Sequence, residues 1–234
     1  MPRVKQSDAR AARAAAAIVA SKKKRRDKGQ TFAKRVLSIV HKGNPSEVKY
    51  ADSKTLTGAP VSLVSNTFYS TLLNGISTGT DELSRVGMKV NNLYLQIRAT
   101  VYQAVGAVSP NVRFIVMQSE VNSATPTALD VLEYTSSLSA TEITRKADYK
   151  ILRDELRAIN FYDGDSNVID WYIPLRNLKL DQTYYNGTGN TIASISKGSL
   201  WFIVMSDTAI TASLAVGSGR AGLEYYCRFA YTDP

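Results

Sequence analysis

Between residues 92 and 102 the side chains alternate without a break. Leu93, Leu95, Ile97, Ala99 and Val101 are interleaved with Tyr94, Gln96, Arg98, Thr100 and Tyr102. A period of two puts the first set on one face of a strand, and a helix would scatter it around its circumference. The same period recurs in Ile169, Trp171, Ile173 and Leu175, and in Leu223, Tyr225, Cys227, Phe229 and Tyr231. In 112–119 both faces are apolar: Val112, Phe114 and Val116 on one, Ile115 and Met117 on the other. That pattern predicts a central strand, or one whose outer face is covered by an arm or a neighbour. Further strands are expected at 47–56, 61–69, 148–158, 168–178, 199–207 and 221–231, with an additional edge segment at 210–216. Residues 127–135 read instead as a short loop helix with Thr127 as its N-cap and Asp130 in its first turn.

Eight short strands separated by turn-rich loops predict an all-β antiparallel sandwich. A doubly wound fold would need helices of 10–15 residues between the strands, and too few are present. One cysteine among 234 residues excludes an internal disulfide framework. No apolar run approaches the roughly 18 residues of a membrane span, and the basic start lacks a secretory hydrophobic segment, so no membrane partner is expected.

Charge divides the chain in two. Residues 1–42 carry 13 Lys or Arg against Asp8 and Asp27, a net +11, whereas the remaining 192 residues are at −2. This predicts a basic arm, 1–45, and a nearly neutral folded body, 46–234. A folded body with a polyanion-binding tail fits that split better than a basic globular enzyme does. Lys22, Lys23, Lys24, Arg25 and Arg26 form the densest run, flanked by Arg3, Lys5, Arg10, Arg13, Lys28, Lys34 and Arg35. These twelve side chains are the expected nucleic-acid contacts. Their attraction is to phosphate, salt-dependent and indifferent to sequence. The run also fits a solubilising tail or a nuclear import signal. Aromatics are not interleaved with the charges, as a base-stacking platform would require. Phe32, Val36, Ile39 and Val40 recur at helical spacing and predict a short helix at 31–40 within the arm, ended by Gly43, Asn44 and Pro45.

Residues that carry catalysis elsewhere are poorly placed for it here. The single histidine, His41, lies in the basic arm without cysteines or an acidic cluster. Cys227 falls on an alternating strand and reads as a small buried hydrophobe. Gly75 and Gly79 do not form a phosphate-binding loop. Asp163 and Asp165 flank Gly164 without the ligand spacing of a calcium-binding helix–loop–helix and read as turn acids. Asn186-Gly187-Thr188 matches a glycosylation sequon but reads as an unmodified turn. No catalytic residue and no enzyme activity are expected. A non-viral nucleic-acid-binding β-sandwich module accounts for these features, and a sandwich hydrolase does so less well.

From Val61 onward the chain also resembles the satellite tobacco necrosis virus-like coat proteins, including those of small circular single-stranded DNA viruses. The resemblance is carried by Asn74-Gly75-Ile76, Gly79-Thr80-Asp81 and Arg85-Val86-Gly87 leading into Val90 to Val101. It continues in Val112-Arg113-Phe114-Ile115-Val116, in Ala124 to Leu132, in Tyr149 to Asp154 and in Ala230-Tyr231-Thr232-Asp233. It implies an eight-stranded jelly roll of two four-stranded sheets. It further implies self-association, most simply of sixty copies, into an icosahedral shell around single-stranded RNA or DNA. The corresponding location is the virion, with assembly in the host cytoplasm or nucleus. No cofactor is required by the resemblance. Structural calcium stays open: Asp233 and Asp81 match acidic positions, whereas Val86 and Lys89 depart from the family's polar pattern. Arg85 is read as a loop anchor, with a loop-to-sheet salt bridge preferred over contact with genome or neighbour. Tyr94, Tyr102 and Tyr226 face away from the core and suit either subunit contact or sheet support.

Overall fold

The computed structural model describes residues 47–55, 60–102, 109–120, 124–142, 144, 148–159, 168–176, 181–212 and 221–233. The arm, its expected helix at 31–40 and all twelve phosphate-contact candidates lie outside the described residues. Asp163, Asp165 and His41 do as well.

Among the described residues, ten strands form two antiparallel sheets. The larger contains β1 (Val48–Lys54), β3 (Lys89–Tyr102), β6 (Val168–Pro174), β7 (Gln182–Tyr185), β8 (Ile195–Lys197) and β10 (Gly222–Thr232). Its order is β1-β10-β3, after which β6 pairs with one half of β3 (Tyr94 to Thr100) and β7 with the other (Lys89 to Asn91). The smaller sheet runs β2 (Tyr69–Leu72), β9 (Ser199–Ser206), β4 (Asn111–Ser119), β5 (Tyr149–Ala158). Counting β6 and β7 as one interrupted strand, and setting aside the three-residue β8, leaves four positions in each sheet and the strand exchange of a jelly roll. The larger sheet has six strands rather than four because its edge position is split and β8 pairs onto β7.

Alternation sorts the side chains as expected from Leu95 onward; at Leu93 the β3–β10 register shifts, so Leu93 lies outside the core cluster and lines a groove on the outer face. Leu95, Ile97, Ala99 and Val101 are buried, as are Leu223, Tyr225, Cys227, Phe229 and Tyr231. Across the sandwich they meet Phe114, Val116, Phe202 and Val204. Phe114 stacks with Phe202 at 6.4 Å and meets Trp171 of the other sheet edge-on at 6.3 Å. Burial of this kind contributes about 1.5–3 kcal/mol per large side chain and is the main source of stability.

Residues 61–69 differ from expectation. Among the described residues, Val61 makes an isolated bridge to Leu223, Leu63 to Ile210 and Ser65 to Ser206. The segment crosses from one sheet to the other, and Asn66 turns it with φ of 53°, so continuous pairing starts at Tyr69. At the expected edge segment 210–216, Ile210 makes its single bridge to Leu63, and residues beyond 212 lie outside the described set. The loop helix is shorter than expected, Ala128–Val131 (α1). Thr127 and Asp130 form a reciprocal capping box at its start.

Asn74 joins the sheets where the family-like segment begins. Its side-chain amide donates to Thr183 Oγ1 and the Gly198 carbonyl, both at 2.9 Å, and its side-chain carbonyl accepts from the Leu200 amide at 2.8 Å. Gly75 follows because a Cβ there would lie 2.1 Å from the Asn190 carbonyl oxygen. Gly87 turns the chain into β3 with φ of +102°, a region that strains any other residue.

Candidate functional site

The two outer faces of the sandwich are finished in different ways. On the smaller sheet, Ile115, Met117, Trp201, Ile203 and Met205 point outward. Val131 and Leu132 of the 124–142 loop cover them, giving a second apolar cluster. Arg113 fastens this cover. Its Nε and Nη2 donate to the two Asp154 carboxylate oxygens at 2.8 and 2.6 Å, while Nη1 donates to the Ser137 and Ser139 carbonyls. The apolar outer face of 112–119 therefore belongs to a central strand that the chain itself covers. A groove of about 410 Å³ remains between this loop and β5, bounded by Val131, Glu142, Tyr149 and Ile151.

The outer face of the larger sheet has no such cover among the described residues. The registers of β1, β10, β3 and β6 put its side chains in rows. One row reads Lys54, Tyr226, Arg98, Asp170. The next reads Asp52, Arg228, Gln96, Tyr172. The third reads Tyr50, Ala230, Tyr94, Pro174. Four tyrosines and two arginines thus share one surface, and Tyr172 is 64% exposed.

Its charges are organised in pairs. Arg228 reaches both oxygens of Asp52, at 2.9 and 3.0 Å, and the Tyr226 hydroxyl donates to the same carboxylate at 2.7 Å. These hydrogen bonds, Arg228 foremost, hold the Asp52 carboxyl below the usual range although partial burial opposes them. The Arg228 guanidinium lies 5.2 Å from the Tyr50 ring and 5.5 Å from the Tyr226 ring. Arg98 pairs with Asp170 at 3.1 Å. Tyr94 and Tyr172 bring their rings to 5.0 Å at 34°. A shallow groove of about 390 Å³ lies beside them, lined by Val48, Leu93 and Arg176 as well as by Tyr50, Tyr94 and Tyr172.

Arg85, by contrast, is wholly buried. Its Nε donates to the Ile76 carbonyl at 3.0 Å, and its other nitrogens donate to the Gly87 and Gly187 carbonyls. The Tyr185 ring lies 3.9 Å from the guanidinium. It anchors the 75–87 loop through backbone carbonyls, and the salt bridge expected there is replaced by these. Its burial leaves no surface for genome or neighbour. Of the acids weighed for calcium, Asp81 is exposed, and Asp233 lies 3.0 Å from Lys49 Nζ. Among the described residues no group of three or more potential metal ligands occurs. Cys227 is buried and burial pushes its thiol well up, away from nucleophilic use.

Sequence reasoning placed Tyr94 and Tyr226 outward, and both are; it did not join Tyr50, Tyr172, Arg98 and Arg228 to them. Strand parity gives the outward direction of each. Only the strand order makes them neighbours.

Among the described residues no helix is long and apolar enough to cross a membrane. A model of the satellite tobacco necrosis virus coat protein family matches residues 19–221. No curated protein matches. Solved structures with overlapping chains come from virus particles. One, from an expanded equine rhinitis A virus particle, is 16% identical, with 80% of this chain and 72% of that one covered and a TM-score of 0.32. Another, from heated Israeli acute paralysis virus, is 12% identical over 80% and 71%, with a TM-score of 0.32. A deformed wing virus chain is 10% identical over 82% and 77%, at 0.31.

Proposed function

The chain belongs to the satellite tobacco necrosis virus coat protein family, and from that premise we propose that it packages a single-stranded genome inside a small icosahedral shell. The jelly roll builds the shell and residues 1–45 hold the genome. The extent of the family match carries the reading. It runs from residue 19 to 221, so it takes in Lys22 to Arg26 together with the sandwich up to the start of β10.

Two physical features support it. Loop residues Leu83, Val86 and Met88 are all at least half exposed, apolar surface of the kind that subunit contacts bury. The body is close to neutral, so copies can pack without strong mutual repulsion while the arms meet the phosphates. Sixty arms would bring roughly 660 positive charges to the interior, enough to offset a comparable number of phosphates. Lys49 Nζ, 3.0 Å from the Asp233 carboxylate, supplies positive charge at the acidic position weighed for calcium.

Size-exclusion chromatography with light scattering and particle imaging tests the assembly. A closed particle near the mass of sixty chains is expected; a strict monomer across assembly conditions would leave a nucleic-acid-binding sandwich instead. Extraction and nuclease digestion then identify the contents as RNA or DNA. Neutralising Lys22 to Arg26 should lower the salt slope of nucleic-acid binding by about three to four units. An unchanged slope removes the run from the assignment.

A further inference from the structure

We propose that the open tyrosine–arginine face of the larger sheet is a second genome contact, a platform on which unpaired bases of a single strand stack. This rests on the packaging reading and extends it to a site outside the arm.

Composition suits nucleotides. The three central rows hold four tyrosines, two arginines and no Leu, Ile, Met or Phe, with Val48 and Leu93 lining the groove beside them. Such a surface also fits a subunit contact, and the attached basic arm is what favours the nucleic-acid strand. Flat rings and flat guanidinium groups are what the face offers, and base stacking on such surfaces tolerates any sequence. The rings are held in place beforehand. Arg228 is fixed by two bonds to Asp52 and lies against Tyr50 and Tyr226, and Tyr94 rests against Tyr172. Little side-chain freedom is then lost on binding.

Charge removes the main objection. Asp52 and Asp170 each pair with an arginine of the same face, so an approaching phosphate meets neither as a bare carboxylate. The adjoining groove of about 390 Å³, lined by Tyr50, Tyr94 and Tyr172 among others, lies within the roughly 300–1,000 Å³ range of small-molecule sites. Covalent connection supplies the remaining argument. β1 is the edge strand of this sheet and begins at Val48, only a few residues beyond the end of the basic arm. A strand held by the arm is tethered to the same chain as this face, which raises the effective concentration for stacking. The arm has charge and almost no aromatics; the face has aromatics and balanced charge. Each lacks what the other provides.

The test compares two probes on the full chain: a uridine 12-mer, and inorganic polyphosphate of equal charge, which has no bases. Tyr94→Ala with Tyr172→Ala should weaken the 12-mer about tenfold or more and leave polyphosphate within twofold. The Tyr94→Phe, Tyr172→Phe pair should retain both affinities, since the rings persist. Ultraviolet cross-linking of intact particles should join nucleic acid to peptides containing Tyr50, Tyr94 or Tyr172. Equal loss for both probes, or no loss for either, overturns the platform. So does reduced particle yield at unchanged affinity, which would give the face to a neighbouring copy. Failure of the packaging reading shows separately, as polyphosphate binding that is indifferent to neutralisation of Lys22 to Arg26.

Discussion

One outer face of this sandwich is apolar and the chain covers it; the other is polar and aromatic and no described residue does. The smaller sheet carries Ile115, Met117, Trp201 and Ile203 outward, and α1 with its loop lies over them. The larger carries tyrosines and paired charges. The difference shows where folding stops and recognition begins. Aliphatic surface left in water destabilises the fold and invites aggregation, so the chain supplies its own cover. A face of hydroxyls, rings and ion pairs is soluble by itself and remains available.

Substitutions on the two faces should therefore separate stability from binding. Trp201→Ala removes a ring buried under the loop and is expected to cost about 3–5 kcal/mol in chemical denaturation; a loss under about 1 kcal/mol would mean that the cover is not structural. Arg113→Met cuts the bonds from the sheet to Asp154 and to residues 137 and 139. A loss of about 2 kcal/mol is expected, with faster hydrogen exchange at the Leu132, Glu133 and Glu142 amides that the loop protects. Unchanged exchange there would show that Arg113 does not hold the cover. Tyr172→Ala, on the open face, should change stability by no more than about 0.5–1 kcal/mol. A larger loss would make that tyrosine a structural support.

The smallest effect is in acid. Hydrogen bonds from Arg228 depress the Asp52 carboxyl, so the pair's contribution is present above the unfolded aspartate value of about 3.9 and fades as pH falls through the lower folded one. Because the pair is partly exposed, that contribution is slight. Nuclear magnetic resonance titration should find Asp52 below 3.9, and Arg228→Gln should return it toward that value. A titration at the ordinary value in the unmodified chain would dissolve the pairing.

Strands with strict alternation or a continuous apolar run, β3, β4, β9 and β10, were legible in the sequence because burial on one face or both dictates the pattern. β7 and β8 were not. Gln182–Tyr185 and Ile195–Lys197 are too short to establish a period, and their pairing depends on β3 being free at Lys89 to Asn91. The 61–69 segment misled for a different reason. Val61 and Leu63 do alternate inward, but each bonds to a different partner, and periodicity cannot report a change of partner. Arg85 was placed in the right loop with the wrong acceptor, since sequence names charged partners but not carbonyls brought close by the fold. The open face is the largest omission: its rows exist only across four strands that are far apart in the chain.

Cys227 gives the body a built-in reporter. It is the only thiol in each copy and sits on β10 between β1 and β3, with its side chain in the core. A thiol-selective reagent can then register only those moments when the central strands part. Mass spectrometry of timed samples would count such openings copy by copy in free subunits and in closed particles, without any introduced label.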